Sequence, residues 1–288
     1  MMIFRQAKSG FVAGALLAAL LVSFASPAAD KAYRRIVSVG GPITEIIYAL
    51  GEQSRIVAID TSSIFPAETD SLHKVGYQRA LSAEGVISQR PDLLIATDAA
   101  GPQNVLKQIA GTGVDMHIIQ AENSYQGLLE KISSVSKVMG VPEKGEKLIA
   151  SITNKMEPVL QAVKSQKTSR ARIVFLLNVG QGPLMVAGHS TAADSIIGLA
   201  GGENPMAHFE GYKPVNAESL VAVNPDIILL TNRTLDAMGM EGVLDVPGVR
   251  LTAAARNNRI VAMDGLLLLG FTPRLPEAIR ELNDYINS

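Results

Sequence analysis

The chain reads as an α/β fold: two lobes with mostly parallel sheets, joined by a single long helix. Three observations predict it. Short β-branched runs alternate with glycine-ended helical stretches, the alternation restarts after residue 170, and an amphipathic segment without linker composition lies between. The first 29 residues stand apart. Arg5 and Lys8 precede the apolar run Phe11–Val22, and Ala25-Ser26-Pro27-Ala28-Ala29 closes it with small residues. That order predicts a cleaved secretory leader and a product without a membrane anchor, because the run is short for a bilayer span.

The first lobe is expected over 30–141. Ile36-Val37-Ser38-Val39 is a buried strand running into Gly40-Gly41-Pro42, and Thr44 to Gly51 a short helix stopped by glycine. Ile56–Asp60, Pro91–Ala96 and the stretch around His117 supply further strands. The linker helix, 142–168, carries Leu148, Ile149, Ile152, Met156, Val159, Leu160 and Val163 on one stripe. Pro158 inside it is expected to kink or split it. The second lobe, 169–288, repeats the pattern with a strand at Arg172–Leu177, a glycine-ended helix at Thr191–Gly202 and a strand at Pro225–Leu230.

One internal repeat is sharper than the rest. Gly76-Tyr77, Ser82-Ala83-Glu84 and Pro91-Asp92 recur as Gly211-Tyr212, Asn216-Ala217-Glu218 and Pro225-Asp226, with the same Ala-Glu to Pro-Asp spacing. Ser82 and Asn216 suit helix N-caps, which places Glu84 and Glu218 in first turns where a carboxylate complements the helix dipole. Two such lobes face each other with a Gly-Tyr segment on each wall of a cleft, the usual ligand site of α/β lobes.

Composition removes many chemistries. The 288 residues hold no cysteine, which excludes disulfides, thiolate metal sites and a thiol nucleophile, and a formal net charge of −1 gives no basis for nucleic-acid binding. Gly180-Gln181-Gly182-Pro183 lacks the later glycine and the lysine of a phosphate loop, and no G-x-S-x-G or H-E-x-x-H occurs. His73, His117, His189 and His208 are scattered, and His117 reads as structural. The chain is not expected to be an enzyme. Tyr77 is the residue with chemistry to offer. In an extended loop Arg79 points the same way, and a guanidinium beside a phenol favours the phenolate, a hard anionic ligand for ferric iron. The alternative is a loop tyrosine bonded to a backbone carbonyl.

The layout of Arg35–Gly41, Thr44-Glu45-Ile46, Ala83-Glu84 and both Pro-Asp strands resembles periplasmic binding proteins of ABC importers, the class with a helical backbone that carries siderophores, cobalamin and haem. Val75–Ser82, Ala187–Asp194 and Leu268–Arg274 are most similar to its haemin-binding members. The resemblance covers about Arg35 to Ile286. It implies capture of ferric haem b in the interlobe cleft, with no catalytic cofactor, and delivery to an inner-membrane ABC permease dimer with its ATPase. The carrier is expected to be a periplasmic monomer with small lobe motions. A ferric siderophore or cobalamin carrier of the same class is the alternative.

Carried over by position, Tyr77 is the axial ligand, Arg79 its phenolate-stabilising neighbour, and Glu84 and Glu218 the lobe-tip pair that docks on permease arginines. His189, which is also a possible iron ligand, Tyr212 and Arg233 are the second-lobe haem contacts to test, with Lys213 and Arg274 behind them. Thr272 stands where many members have glycine, which leaves the form of that turn open.

Overall fold

The computed structural model describes residues 1–2, 32–166, 170–178 and 182–288. The leader beyond Met2 with its cleavage site, the loop residues Gly180 and Gln181, and the predicted linker end at 168 lie outside the described residues. Residues Ala32–Ser288 form one compact unit. Among the described residues, no helix is long and apolar enough to cross a membrane.

The first lobe runs β1 (Ile36–Val39), α1 (Gly41–Ala49), β2 (Ile56–Ile59), β3 (His73–Lys74), β4 (Gly76–Tyr77), β5 (Ala80–Leu81), α2 (Ala83–Ser88), β6 (Leu93–Thr97), α3 (Gln103–Ala110), β7 (Asp115–Ile119) and α4 (Tyr125–Val138). Its sheet is ordered β3-β2-β1-β6-β7 with every pair parallel, and β4-β5 form a separate hairpin. The central strands β1 and β6 are mostly apolar and buried because helices cover both faces, whereas the edge strands β3 and β7 carry polar residues.

After α5 (Pro142–Ser165) come β8 (Ile173–Leu177), β9 (Met185–Ala187), α6 (Ala192–Leu199), β10 (Tyr212–Pro214), α7 (Ala217–Val223), β11 (Ile227–Thr231), α8 (Asn232–Leu244), α9 (Ala253–Arg256), β12 (Ile260–Met263), α10 (Gly265–Leu269) and α11 (Leu275–Asn287). The second sheet is ordered β10-β9-β8-β11-β12; β8, β11 and β12 are parallel, while β9 and β10 pair antiparallel at one edge. The lobes differ here for a simple reason. A parallel return needs a crossover of about a dozen residues. The connection from Leu177 to Met185 is shorter than that, so β9 folds back as a hairpin strand.

The repeated Pro-Asp has a structural meaning. The Asp92 carboxylate accepts the Arg34 and Arg35 amides at 2.7 and 3.0 Å, and Asp226 accepts the Arg172 amide at 2.8 Å. Each aspartate thereby closes the open start of its lobe's central strand. Burial raises the Asp226 carboxyl, but the hydrogen bonds and charge of Arg172 outweigh it and hold the group below the ordinary carboxylate value.

Pro158 does not split the linker: α5 is continuous over 24 residues. Ile152, Met156 and Val159 are buried, the last two flanking the proline, and the helix packs on α4 of the first lobe and α11 of the second. Tertiary burial on both sides outweighs the missing backbone donor. One apolar cluster runs through α5 into both lobes, joining Ile43 and Ile46 to Ile197, Leu268 and Leu282.

Two buried polar contacts fix the lobes further. Arg274 makes a bidentate pair with Glu45 of α1, both bonds 3.0 Å, and its guanidinium lies 3.6 Å from the Phe65 ring centroid. This corrects the reading of Arg274 as a ligand contact, since its fork is already occupied. Lys131 of α4 donates to the Gly270 and Phe271 carbonyls, each at 3.2 Å. Burial lowers its ammonium to about 8, against the raising charges of Asp98 and Glu45. The turn left open at Thr272 is closed by that residue itself: buried, its hydroxyl accepts the Arg274 amide at 3.2 Å, while Phe271 takes φ 46°.

Removing Arg274 strands a nearly buried carboxylate. Arg274→Ala is expected to cost about 3–5 kcal/mol in urea unfolding, and adding Glu45→Gln should recover part of the loss. Lys131 gives a pH test. Its folded value lies below the unfolded one, so between about pH 8 and the free-lysine value the unfolded chain binds the extra proton. Stability of the wild type relative to Lys131→Met is therefore expected to rise with pH across that window in urea unfolding curves. A flat or falling difference contradicts the burial of a charged Lys131.

Candidate ligand cleft

Tyr77 ends β4, beyond the C-terminal ends of β2 and β3, and its side chain is 42% exposed. Gly76, at φ 104°, allows the chain to leave β3 and double back. The hairpin is clamped by its backbone. Thr61 N donates to Gly76 O at 2.8 Å, Gly101 N to Gln78 O at 2.8 Å and Leu81 N to Gly101 O at 2.9 Å. The loop is not extended, however. Tyr77 pairs with Ala80, so Gln78 and Arg79 form a two-residue turn, and the alternation that put Tyr77 and Arg79 on one side of an extended loop does not apply.

Arg79 instead extends its field to the other lobe. Burial pushes the Tyr212 phenol above the ordinary tyrosine value, and a hydrogen bond with the Thr191 side chain and the Arg79 charge oppose the rise. Tyr212 lies on edge strand β10 and remains 37% exposed. The charge of Arg79, in the first lobe, thus acts on the tyrosine of the second.

His189 lies in the same corner as Tyr212. Gly188 N donates to Gly211 O at 2.8 Å, Gly211 N to His189 O at 3.0 Å, and His189 Nδ1 is 2.9 Å from Ser190 Oγ. Gly188 has no room for a side chain: a Cβ would stand 2.1 Å from Phe209 O. Thr191, next in line, caps α6 by accepting the Asp194 amide at 3.1 Å. Sequence reading missed Thr191 as a partner of Tyr212, although its N-cap position in Gly188-His189-Ser190-Thr191 was the available signal. Lys213 lies 4.7 Å from the Phe209 ring centroid, a packing contact.

Arg233 is placed elsewhere. It is exposed in the first turn of α8, at the C-terminal end of β11, with β8 and β9 between that strand and β10. A cation at a helix N-terminus opposes the dipole, so an anion there is a favourable partner. Glu84 and Glu218 occupy identical settings. Ser82 Oγ accepts Gly85 N at 3.0 Å and Asn216 Oδ1 accepts Ser219 N at 3.1 Å, leaving each glutamate exposed at the second helical position and without an ion pair among the described residues. Ile87 and Val221, three residues on in each helix, are also exposed.

Two cavities stand out among the described residues, the first formed by the first lobe alone. One of about 480 Å³, beyond β6 and β7, is lined by Asp98, Gln120, Glu122 and Glu130; the other, about 350 Å³, lies against α1 and α5 beside Tyr48, Phe65 and Lys155. Neither is lined by Tyr77 or Tyr212. Among the described residues, no group of three or more His, Asp or Glu is placed to hold a metal ion.

Residues 36–266 match the family model for periplasmic binding proteins. The chain belongs to that family. Among solved structures, this periplasmic binding protein is similar to the periplasmic heme-binding protein RhuT from Roseiflexus sp. RS-1, with TM-score 0.85 and 37% identity over 88% of this chain and 97% of that one. It is also similar to the periplasmic heme-binding protein BhuT solved with two hemes, at TM-score 0.82 and 36% identity over 88% and 97%. HutB of Vibrio cholerae, another periplasmic heme-binding protein, gives TM-score 0.78 and 33% identity over 88% and 99%. Among curated proteins, the vitamin B12-binding protein of Vibrio parahaemolyticus is 23% identical over 263 residues, 90% of this chain and 92% of that protein.

The charge of Arg79 predicts a titration. Arg79→Met is expected to move Tyr212 ionisation to higher pH, read by NMR of ring-labelled tyrosine with Tyr212→Phe to assign the signal. An unmoved titration would place Arg79 outside the reach of Tyr212.

Proposed function

We propose that this periplasmic binding protein captures ferric haem b between its lobes and delivers it to an inner-membrane ABC permease dimer with its ATPase. The observation that carries the reading is the likeness of 88% of the chain to solved heme-binding proteins at 33–37% identity, together with Tyr77 standing exposed on a hairpin at the strand ends. Tyr77, exposed on a clamped hairpin, supplies the phenolate oxygen to the iron. Arg79 stabilises anionic oxygen in the cleft, including the phenolate. Tyr212 and His189 form the opposing wall and contact the macrocycle or its iron. Arg233, a cation on a helix N-terminus, takes a carboxylate of the ligand if the macrocycle reaches across the second sheet.

Burial of the flat apolar ring supplies much of the affinity, and the iron bond fixes orientation. Glu84 and Glu218 meet basic side chains on the two halves of the permease, since equivalent points on two lobes suit a two-fold partner. The molecule acts as a monomeric carrier in the periplasm after loss of its leader and performs no catalysis. The shared core, the Glu45–Arg274 pair and the Lys131 bonds favour small lobe motions over wide hinge closure. The lobes divide at 30–141 and 169–288 around the linker.

A cobalamin carrier is the second reading, favoured by the vitamin B12-binding relatives, which are less similar in sequence than the heme-binding structures. Titration of the mature protein with ferric haemin and, separately, cyanocobalamin decides between them. The haem reading predicts a saturable shift in the haemin spectrum, lost or altered in Tyr77→Ala, with no tight cobalamin binding. Saturable cobalamin binding with no haemin response would overturn it.

A further inference from the structure

The turn that follows Tyr77 holds one side chain bonded back to the first sheet. Gln78 is half-buried between the exposed Tyr77 and Arg79, and its Oε1 accepts the Thr97 hydroxyl at 3.2 Å. Thr97 is the last residue of β6, so the bond ties the tip of the hairpin to the end of a central strand. Of the backbone clamps described above, two hold the stems and one the Gln78 carbonyl; the Thr97 bond holds the Gln78 side chain.

Gly40 makes the tie possible. It ends β1, next to β6, at φ 97°. A Cβ there would lie 2.6 Å from Thr97 Cγ2, 2.9 Å from Thr97 Oγ1 and 3.3 Å from Gln78 Oε1. The missing side chain is the socket in which the amide and hydroxyl meet. The Gly40 amide is held in turn by buried Asp60, 2.8 Å away, whose carboxylate also accepts Ser63 Oγ at 2.7 Å. Asp60 thereby fixes the Gly40 backbone against which the Thr97–Gln78 bond packs.

We propose that Gln78 and Thr97 are positioning residues for the ligand tyrosine: their hydrogen bond over Gly40 fixes the Tyr77 hairpin against the first sheet so that the phenol meets the iron of an incoming haem at a set angle. The inference rests on Tyr77 being the iron ligand. A tyrosine on a loose turn forms the same bond but must be ordered at the moment of capture, which lengthens the search and shortens residence.

The test uses the whole mature protein with Thr97→Val, Gln78→Met and the conservative Gln78→Glu, which keeps an acceptor. Haemin dissociation is followed by transfer to apomyoglobin, and the same substitutions are repeated in Tyr77→Ala. The expected result is dissociation about fivefold faster in Thr97→Val and Gln78→Met, the scale of one hydrogen bond, with altered charge-transfer bands and near-wild-type rates in Gln78→Glu. In Tyr77→Ala the substitutions should have no further effect, because the positioned group is gone. Equal effects in both backgrounds, or none in either, would overturn the proposal.

Amide hydrogen exchange of the ligand-free variants separates this from the haem reading. The tie predicts faster exchange at the Gly101 and Leu81 amides in Thr97→Val and Gln78→Met, and unchanged exchange there overturns it whether or not haemin binds. Absence of saturable haemin binding by the wild type sinks the haem reading and, with it, the role given to Tyr77.

Discussion

The relation between the lobes depends on a buried ion pair that links distant parts of the chain. Glu45 sits in the first helix and Arg274 just before the last, 229 residues later, and their bidentate pair closes the first lobe onto the end of the second. A buried pair of this kind adds little net stability compared with apolar packing, yet removing one partner is costly. Its consequence is geometric. With Lys131 bonded to the carbonyls just before Arg274, and with α5 buried against both lobes, the walls that carry Tyr77 and Tyr212 are held at a defined separation. A cleft built this way offers a rigid flat ligand a preformed slot, which lowers the ordering cost of binding.

Pseudo-symmetry organises the rest, and it is imperfect in an informative way. Both lobes use an aspartate to close the start of the central strand and an N-capped short helix to present a glutamate. The tyrosine segments then diverge. Tyr77 stands on a separate, backbone-clamped hairpin at the strand ends, whereas Tyr212 is in an edge strand paired to β9. The two differ little in exposure, at 42% and 37%, and what separates them is setting, a short hairpin at the strand ends against a strand of the second sheet. That asymmetry suits an unequal division of labour in which one residue takes the iron and the other shapes the facing wall.

Much of this was legible in the sequence because it depends on local chemistry. Strand composition, glycine stops, the capping residues at Ser82 and Asn216 and the stripe on α5 all act within a few residues. The split expected at Pro158 is absent because the cost of the proline is local while the burial of Met156 and Val159 that offsets it is tertiary. The extended-loop argument for Arg79 fails for a related reason: Tyr77 pairs with Ala80 across a Gln78-Arg79 turn, and the charge that Arg79 lends to Tyr212 of the facing lobe cannot be seen from spacing. Arg274 looked free as a ligand contact because its partner, Glu45, lies at the other end of the chain. The Gln78–Thr97 tie had no readable signal beyond Gly40, whose role needs the fold to become visible.

Resonance Raman spectroscopy of the haemin-loaded protein tests the central claim most directly, because it reports the atom bonded to iron. An iron–phenolate stretch in the wild type that disappears in Tyr77→Phe, with the protein still folded, is the predicted result. A phenolate mode that survives in Tyr77→Phe, or an imidazole-ligated spectrum in the wild type, would contradict the assignment of Tyr77 as the ligand.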